Sequence, residues 1–368
     1  MKKVFIIFIF LSFLLFCSYY INQDPFEEIA KVVSAAEKKS LSVPNPFEIS
    51  SSIKTEIEKS ISPDDPPYLR FRKILRYLYT NGFLNFDYDI NSTLNAQETF
   101  EKKRGNCLSY TGLFVSLSRH LNVPVNFAYL SELVDFEEKD GSYVVSSHIA
   151  AEFKDGNKTI LVDFNKQKED FKLYEKIDDK TAYCLFYNNV AVTKIIKREF
   201  EEAEKIIDFL LEIKPFQKEI LNNKGVLLLK QGKYEEALSF YNEMRLTGVI
   251  YQPSLNNGLL VAKILRRSDY EEIFSKELKT FSEKDPLILY QKAVDYANDN
   301  NFNEAINTLK KAIKEQPRNV FLHTTLTVLY LKNGEIEKAK QSFNKAKRLS
   351  PSFYLLEEIV NNYPQLRY

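Results

Sequence analysis

The chain has 368 residues, which predicts two or three domains, and 44% of them are hydrophobic, enough for packed cores. Its 51 basic and 50 acidic residues give a formal net charge of +1, and this balance argues against a nucleic-acid partner. Three cysteines without a Cys-x-x-Cys pair argue against a zinc cluster and against a disulfide framework. We therefore expect no metal and no cofactor.

The first 21 residues differ in kind from the rest. Lys2 and Lys3 precede the apolar run 4–16, whose one polar residue is Ser12, and this order is typical of a signal peptide. If it is not cleaved, residues 4–21 are just long enough to cross a bilayer as a signal anchor, with the two lysines on the cytoplasmic side.

A lipidation site is a further possibility in this segment. The run that ends in Phe16 and Cys17 resembles a bacterial lipobox, although the residue before the cysteine is bulky where that motif has a small one. Cys17 is then the residue that carries the lipid. Either version predicts a membrane-anchored, extracytoplasmic protein of the cell envelope, tethered through its N-terminus.

Residues 22–64 contain several prolines and a run of serines, and they predict a spacer with short helices. Pro66 and Pro67 then precede a stronger helical pattern over residues 68–79, which ends at Asn81 and Gly82. We expect this helix to pack against the one that begins at Cys107.

Oxygen-bearing side chains before that helix have the spacing of a calcium-binding loop: Asp87, Asp89, Asn91, Thr93, Asn95 and Glu98. The sixth position is Ser92, where such a loop needs glycine for its sharp turn. A polar loop is therefore the favoured interpretation, and calcium binding is the alternative.

Cys107 begins a helical pattern. Apolar residues recur at helical intervals after it, until the sequence at 122–124 breaks the pattern: Leu108, Leu113, Phe114, Leu117 and Leu121. The positive end of a helix favours a thiolate, the nucleophilic form of cysteine. Gly105 just before it lets the turn tighten and a substrate approach the sulfur.

Three strand-like runs follow, at 125–134, 143–153 and 159–164, and they predict an antiparallel meander. His148 lies in the second run and Asp163 in the third, so a hairpin can place them on adjacent strands. We expect His148 to accept the thiol proton of Cys107 and Asp163 to fix the tautomer of the imidazole.

Three short motifs resemble those of the transglutaminase-like branch of the papain-type cysteine enzymes: Gly105-Asn106-Cys107, Ser147-His148-Ile149 and Val162-Asp163-Phe164-Asn165. The resemblance covers roughly residues 65–183 and implies an α+β papain/transglutaminase-like domain with Cys107, His148 and Asp163 as catalytic residues. Family members often have Trp after the histidine motif, and this chain has none. Hydrolysis is therefore favoured over protein crosslinking.

The remaining candidates have structural interpretations. Cys184 lies in an apolar run and is expected to be a small core residue. His120 lies at the end of the Cys107 helix, where a cation suits the helix dipole. His323 falls on a repeat helix and is expected to be structural.

Alanines mark a repeat in the C-terminal half, at positions 203, 237, 305 and 339. Their spacing gives a period of 34 residues with one weak copy, near residues 269–273. The pattern resembles tetratricopeptide repeats, which are stacked pairs of antiparallel helices. We expect five repeats over 184–351, an all-α solenoid, and a capping helix in 352–368. Such solenoids commonly bind a protein or peptide in their concave groove, and the alternative for these repeats is a spacer or a dimerisation arm.

Together these features predict an exported, membrane-tethered cysteine peptidase or amidase whose repeats recruit a protein or peptide partner. Acyl transfer to an amine is the less favoured reaction. The alternative is a non-enzymatic envelope scaffold, in which the transglutaminase-like fold and the repeats are both binding modules.

Overall fold

The computed structural model describes residues 25–83, 92–130, 137–139, 142–144, 149–156, 158–164, 174–351 and 354–366. The N-terminal apolar segment, Cys17 and His148 lie outside these residues. Within the described part of the chain, no helix combines the length and hydropathy that a bilayer span requires.

Five helices precede the sheet: α1 (Glu27–Glu37), α2 (Ser51–Ser60), α3 (Pro67–Thr80), α4 (Ala96–Lys102) and α5 (Cys107–His120). The predicted helices at 68–79 and from Cys107 are confirmed as α3 and α5. They pack together as expected, and the rings of Phe71 and Phe114 lie 5.8 Å apart, edge to face.

Residues 25–64 contribute directly to the core around α5. Phe47 is 1% exposed, and its ring lies 4.7 Å from that of Phe127. Ser116 in α5 donates a hydrogen bond to the Phe47 carbonyl oxygen at 2.6 Å. Gly112, on the same helix, lies so close to Phe47 that a Cβ would approach the ring to 2.9 Å. The segment that the sequence described as a spacer therefore covers one side of α5.

The sheet has four antiparallel strands in the order β5-β4-β1-β6, and a separate ribbon pairs β2 with β3. The strands are β1 (Val125–Leu130), β2 (Glu137–Lys139), β3 (Ser142–Val144), β4 (Ile149–Asp155), β5 (Lys158–Val162) and β6 (Tyr174–Ile177). The predicted meander is confirmed by the pairing of β1 with β4 and of β4 with β5. The predicted second run, 143–153, overlaps β3 and β4, with residues 145–148 between them outside the described residues, and β6 was not predicted.

Eleven helices of the described chain form the C-terminal solenoid. They are α6 (Asp179–Ile196), α7 (Phe200–Ile213), α8 (Lys218–Lys230), α9 (Tyr234–Leu246), α10 (Gln252–Ile264), α11 (Ser268–Lys284), α12 (Pro286–Asn298), α13 (Phe302–Glu315), α14 (Val320–Lys332), α15 (Ile336–Leu349) and α16 (Tyr354–Asn362). Paired in order from α6, they give five two-helix repeats followed by α16. Helix α6 crosses the boundary drawn from sequence between residues 183 and 184.

The period of the repeat has a packing cause. Gly225 in α8 lies against the ring of Tyr241 in α9 so closely that no Cβ fits between them. Gly258 in α10 lies in the same way against Phe274 in α11, where a Cβ would be 2.5 Å from the ring. The weak copy in the sequence is therefore a true repeat, because it keeps the contact of a small residue with a large one.

The core of the sheet domain continues into the solenoid. One cluster of buried side chains extends from Phe26 through α5 and the sheet to Leu227 in α8. At the other end of the solenoid, α16 contacts the edge strand β5. The first repeats are thus an extension of the N-terminal domain, and the last helix also returns to it.

We expect Gly258→Ala to destabilise the chain by about 1–3 kcal/mol, because the added methyl group overlaps the buried Phe274 ring. Urea unfolding of the single variant, of Phe274→Leu and of the double variant measures this as a double-mutant cycle. The smaller Leu should recover part of the loss. If Gly258→Ala costs the same free energy of unfolding in the wild-type and in the Phe274→Leu background, the ring contact is not the cause.

Candidate active site

The candidate site begins at the first turn of α5, whose position is set by Asn106. The Asn106 side-chain oxygen accepts hydrogen bonds from the backbone N–H and the hydroxyl of Ser109, at 3.0 and 3.1 Å, so Asn106 is the N-cap of this helix. Its amide nitrogen donates to the hydroxyl of Thr93 at 2.8 Å. The cap is 4% exposed, so Cys107 is held at a buried and fixed helix start.

Gly105 makes the turn into this helix possible. Its φ of +149° lies in the region that residues with a side chain rarely adopt, and a Cβ there would lie 2.5 Å from the Cβ of Ser109. The Ser109 hydroxyl also accepts a hydrogen bond from the N–H of Leu94 at 2.8 Å. The loop before α4 and the start of α5 are therefore joined around Gly105, as the tight turn predicted from sequence requires.

One turn after Cys107, α5 is fastened to the first residue of β4. The hydroxyl of Thr111, which is fully buried, donates a hydrogen bond to the carbonyl oxygen of Ile149 at 3.1 Å. Ile149 is the residue that follows His148 in the chain. The nucleophile's helix and the strand that follows the proposed base are therefore joined directly.

The end of β5 lies at the same place. Because β4 and β5 are antiparallel and Ala151 pairs with Val162, the start of β4 lies beside the end of β5. Asp163 follows β5, and the ring of the next residue, Phe164, packs 6.1 Å from that of Tyr110 in α5. Three elements thus meet: the first turns of α5, the start of β4 and the end of β5.

The predicted catalytic residues take these positions. Cys107 is the first residue of α5 and is 5% exposed. Asp163 is half-buried directly after β5. His148 lies outside the described residues, so the triad remains a prediction. Its chain neighbour Ile149, at the start of β4, and Asp163, after the end of β5, lie at the same end of the sheet, where Thr111 of α5 bonds Ile149.

The other described cysteine is a buried core residue, and the two described histidines have hydrogen-bond partners. Cys184 is fully buried in α6, and burial raises the pKa of its thiol from 9.0 to about 12, so it stays protonated at neutral pH. The imidazole of His120 lies 2.8 Å from a carboxylate oxygen of Glu58. His323 lies 3.0 Å from the carbonyl oxygen of Pro317.

Two residues of the calcium-loop spacing form a helix cap. The side-chain oxygen of Asn95 accepts the N–H of Glu98 at 2.8 Å, and the Glu98 carboxylate accepts the N–H of Asn95 at 3.4 Å, which is a capping box for α4. Asp87 and its neighbours up to residue 91 lie outside the described residues. Within the described ranges, no three carboxylate, imidazole or thiol groups are grouped as metal ligands.

A second polar region joins the sheet to the solenoid. The hydroxyl of Tyr129 in β1 donates to the carboxylate of Glu219 in α8 at 2.8 Å, and Glu219 is fully buried. The ammonium group of Lys218 lies 5.9 Å from the centre of the Tyr129 ring. Beside them, a cavity of about 260 Å³ lies between β6 and the start of α8.

Several residues that position the site were not identified from the sequence. An asparagine directly before a helical pattern is a recognisable N-cap signal, so the role of Asn106 could have been predicted. The sequence carries no signal for the bond from Thr111 to Ile149 or from Tyr129 to Glu219. Both bonds join residues that are distant in the chain.

The sheet packed on a buried helix that starts with cysteine defines an α+β domain of papain-like type, and the paired helices after it define an α-solenoid. Comparison with known families identifies the same two parts of the chain. The transglutaminase-like superfamily core matches residues 55–164, and tetratricopeptide repeat models match residues 197–248 and 297–352. The chain contains a transglutaminase-like core domain followed by tetratricopeptide repeats.

Comparison with curated proteins gave no match. Solved structures similar to part of the chain include the MamA protein, at 16% identity, with 49% of this chain and 94% of MamA covered and a TM-score of 0.25. MamA from Desulfovibrio magneticus RS-1 is 17% identical, with 48% of this chain and 97% of that chain covered and a TM-score of 0.25. A third similar structure is that of YrrB, described as a tetratricopeptide-repeat protein with an unusual peptide-binding site. It is 18% identical, with 49% of this chain and 92% of YrrB covered and a TM-score of 0.25.

We expect Thr111→Val to lower the free energy of unfolding by about 1–3 kcal/mol, because it removes the buried hydroxyl that donates to the Ile149 carbonyl oxygen while keeping the side-chain shape. Thr111→Ser keeps the hydroxyl and serves as the matched control. Chemical denaturation measures both variants. If the valine variant is as stable as the wild type, the bond does not fasten α5 to β4.

Proposed function

We propose that the chain is an exported, membrane-tethered cysteine hydrolase that cleaves an amide bond and recruits a protein or peptide partner through its repeats. The observation that carries the proposal is the meeting of α5, which starts with Cys107, with the start of β4 and the end of β5. These are the positions that flank the three residues of the predicted triad.

In the proposed reaction, His148 takes the proton from the Cys107 thiol, and the sulfur attacks the amide carbonyl carbon. The N–H groups of the first helical turn have no intrahelical acceptor, and the Asn106 side chain occupies the N–H of Ser109. The N–H of Cys107 is thus available to stabilise the oxyanion. Asp163 orients the imidazole.

The tetrahedral intermediate then collapses as His148 gives its proton to the departing amine. The C–N bond breaks and leaves a thioester on Cys107. Water, deprotonated by His148, attacks the thioester carbonyl, and the acid product leaves as the thiol forms again. Hydrolysis is favoured over transfer to an amine because the chain has no Trp to shield the thioester.

The second candidate function is a non-enzymatic scaffold, and the burial of Cys107 favours it. A nucleophile that is 5% exposed reaches a substrate only through a narrow opening or after a local movement. In this function the sheet domain and the repeats form one interaction module, which their continuous core supports.

The two functions differ in the reactivity of Cys107. We expect iodoacetamide to alkylate Cys107 of the full chain at about pH 6 roughly tenfold faster than free cysteine, because the proposed triad supplies His148 as the base that takes the thiol proton. His148→Ala should remove most of this advantage, and Asp163→Asn should remove part of it. Mass spectrometry of the peptides gives the rate at each cysteine.

Two controls belong to this experiment. Cys184 is an internal one, since its buried, protonated thiol should remain unlabelled in the folded chain. His120→Ala is the matched histidine variant, because that imidazole lies at the other end of α5 and pairs with Glu58. If Cys107 reacts no faster than an ordinary thiol, or if both histidine variants behave alike, the hydrolase proposal fails and the scaffold takes its place.

The membrane tether is proposed from the sequence of residues 1–21 alone. We expect the full chain to sediment with membranes and to be released by detergent but not by salt, because an apolar helix or a lipid holds it by the hydrophobic effect. Mass spectrometry of the N-terminal peptide distinguishes the two anchors, since a lipoprotein begins at a lipid-modified Cys17 and a signal anchor keeps residues 1–21. Recovery of the wild type in the soluble fraction would contradict the proposal.

A further inference from the structure

Three large apolar side chains are exposed at one edge of the first repeats. Phe216, in the loop between α7 and α8, is 74% exposed, Leu246 at the end of α9 is 67% exposed, and Ile250 in the loop after α9 is 38% exposed. The two loops are neighbours, because the ammonium group of Lys218 at the start of α8 lies 5.2 Å from the centre of the ring of Tyr251, which follows Ile250. We call Phe216, Leu246 and Ile250 the apolar edge.

The repeat fold itself does not require apolar residues at this edge. Phe216 and Ile250 are 34 residues apart, so they hold the same position in successive repeats. The next two copies of that position are Lys284 and Arg318, and both residues are exposed. The apolar choice is therefore particular to the loops nearest the sheet domain. Apolar side chains that are exposed together at one place often mark a contact surface.

Pro25, the first residue that the structure describes, lies beside the apolar edge. The guanidinium group of Arg119 donates to the carbonyl oxygen of Pro25 at 3.1 Å and to the carboxylate of Asp179 at 2.6 and 2.8 Å. The residue before it, Asp178, accepts a hydrogen bond from the ammonium group of Lys214 at 2.9 Å. Lys214 begins the loop between α7 and α8. Pro25 and the apolar edge therefore lie at the same end of the first repeats.

The position of Pro25 limits how far this end of the repeats can be from a membrane. The predicted signal anchor ends at residue 21, four residues before Pro25. A fully extended chain advances at most about 3.6 Å per residue, so four residues reach about 14 Å. The surface around Pro25 then lies in or next to the headgroup layer of the bilayer. A lipid on Cys17 gives a reach of about 29 Å over eight residues, which allows the same contact.

We propose that the apolar edge contacts the membrane that holds the N-terminal segment, with its three side chains in the interfacial region of the bilayer. The inference rests on the proposed function in one respect, the membrane tether. The hydrophobic effect favours the contact, and residues 247–249 carry no charge that would have to be desolvated. Because the tether keeps the edge close to the bilayer, a small apolar surface is enough to hold the chain in this orientation.

The test uses an introduced tryptophan, because the chain has none and a single indole reports on one position. Phe216→Trp labels the apolar edge. Ile196→Trp is the matched control, since Ile196 is also apolar and is 49% exposed, and it lies at the opposite end of the 18-residue helix α6, about 27 Å from the start of that helix. The full chain of each variant is reconstituted in phosphatidylcholine vesicles, with or without dibrominated phosphatidylcholine. Bromine atoms in the bilayer quench a nearby indole, and acrylamide in the water quenches an exposed one.

We expect the brominated lipid to quench the Phe216→Trp fluorescence several-fold more strongly than that of Ile196→Trp, and acrylamide to quench it less. Leu246→Trp repeats the measurement at a second residue of the edge, and circular dichroism verifies that each variant is folded. If the indoles at the edge are as open to acrylamide as the control, the edge faces water and the proposal is overturned. Shielding from acrylamide without quenching by the lipid also overturns it, because protein, such as a second copy of the chain, then covers the edge.

Sedimentation of the wild-type chain with the same vesicles separates this proposal from the tether. If the chain sediments with the vesicles and the apolar edge faces water, the tether stands and the membrane contact of the edge fails. If the chain does not sediment with them, the tether fails, and the contact that rests on it fails as well. Neither measurement depends on the reactivity of Cys107, so the hydrolase proposal is tested separately.

Discussion

The burial of α5 from Cys107 to Ser118 is the constraint on which the rest of the structure depends. All residues from Cys107 to Ser118 in this helix are buried, so it has no face for water and must be covered on every side. The sheet covers one side, α3 a second, and the segment around Phe47 a third. Residues before residue 65 are therefore needed to complete the domain, although they are remote from Cys107 in the sequence.

The same burial gives the candidate site its fixed geometry. A helix held on all sides cannot slide or rotate, and its start is fixed further by the Asn106 cap and by the turn at Gly105. The bond from Thr111 to Ile149 then relates that start to the sheet. A nucleophile needs such a rigid support, because small displacements of reacting groups are costly in rate. The same rigidity serves a scaffold equally well, which is why reactivity, and not position, separates the two functions.

The solenoid is joined to this domain at more than one place. Its first helices share the core of the sheet domain, Tyr129 bonds the buried Glu219 of α8, and α16 lies against β5. Buried polar contacts such as that of Tyr129 with Glu219 are costly to break, since each leaves a polar group without a partner. A partner that binds the repeats therefore acts on a body that is continuous with the candidate site.

Local patterns in the sequence determined the helices α3 and α5, the antiparallel strands and the period of the repeats, because each depends on residues close together in the chain. The domain types followed from these patterns. Only the tertiary structure decided the position of β6, the covering of α5 by residues 25–64, the contact of Gly258 with Phe274 and the bond from Thr111 to Ile149. These features join residues far apart in sequence, and such contacts depend on shape and hydrogen bonding in the folded chain. The sequence could propose Cys107, His148 and Asp163 as one site because three local motifs occurred in a known order. It could not show where the solenoid contacts the sheet domain, because that depends on how separately formed elements pack together.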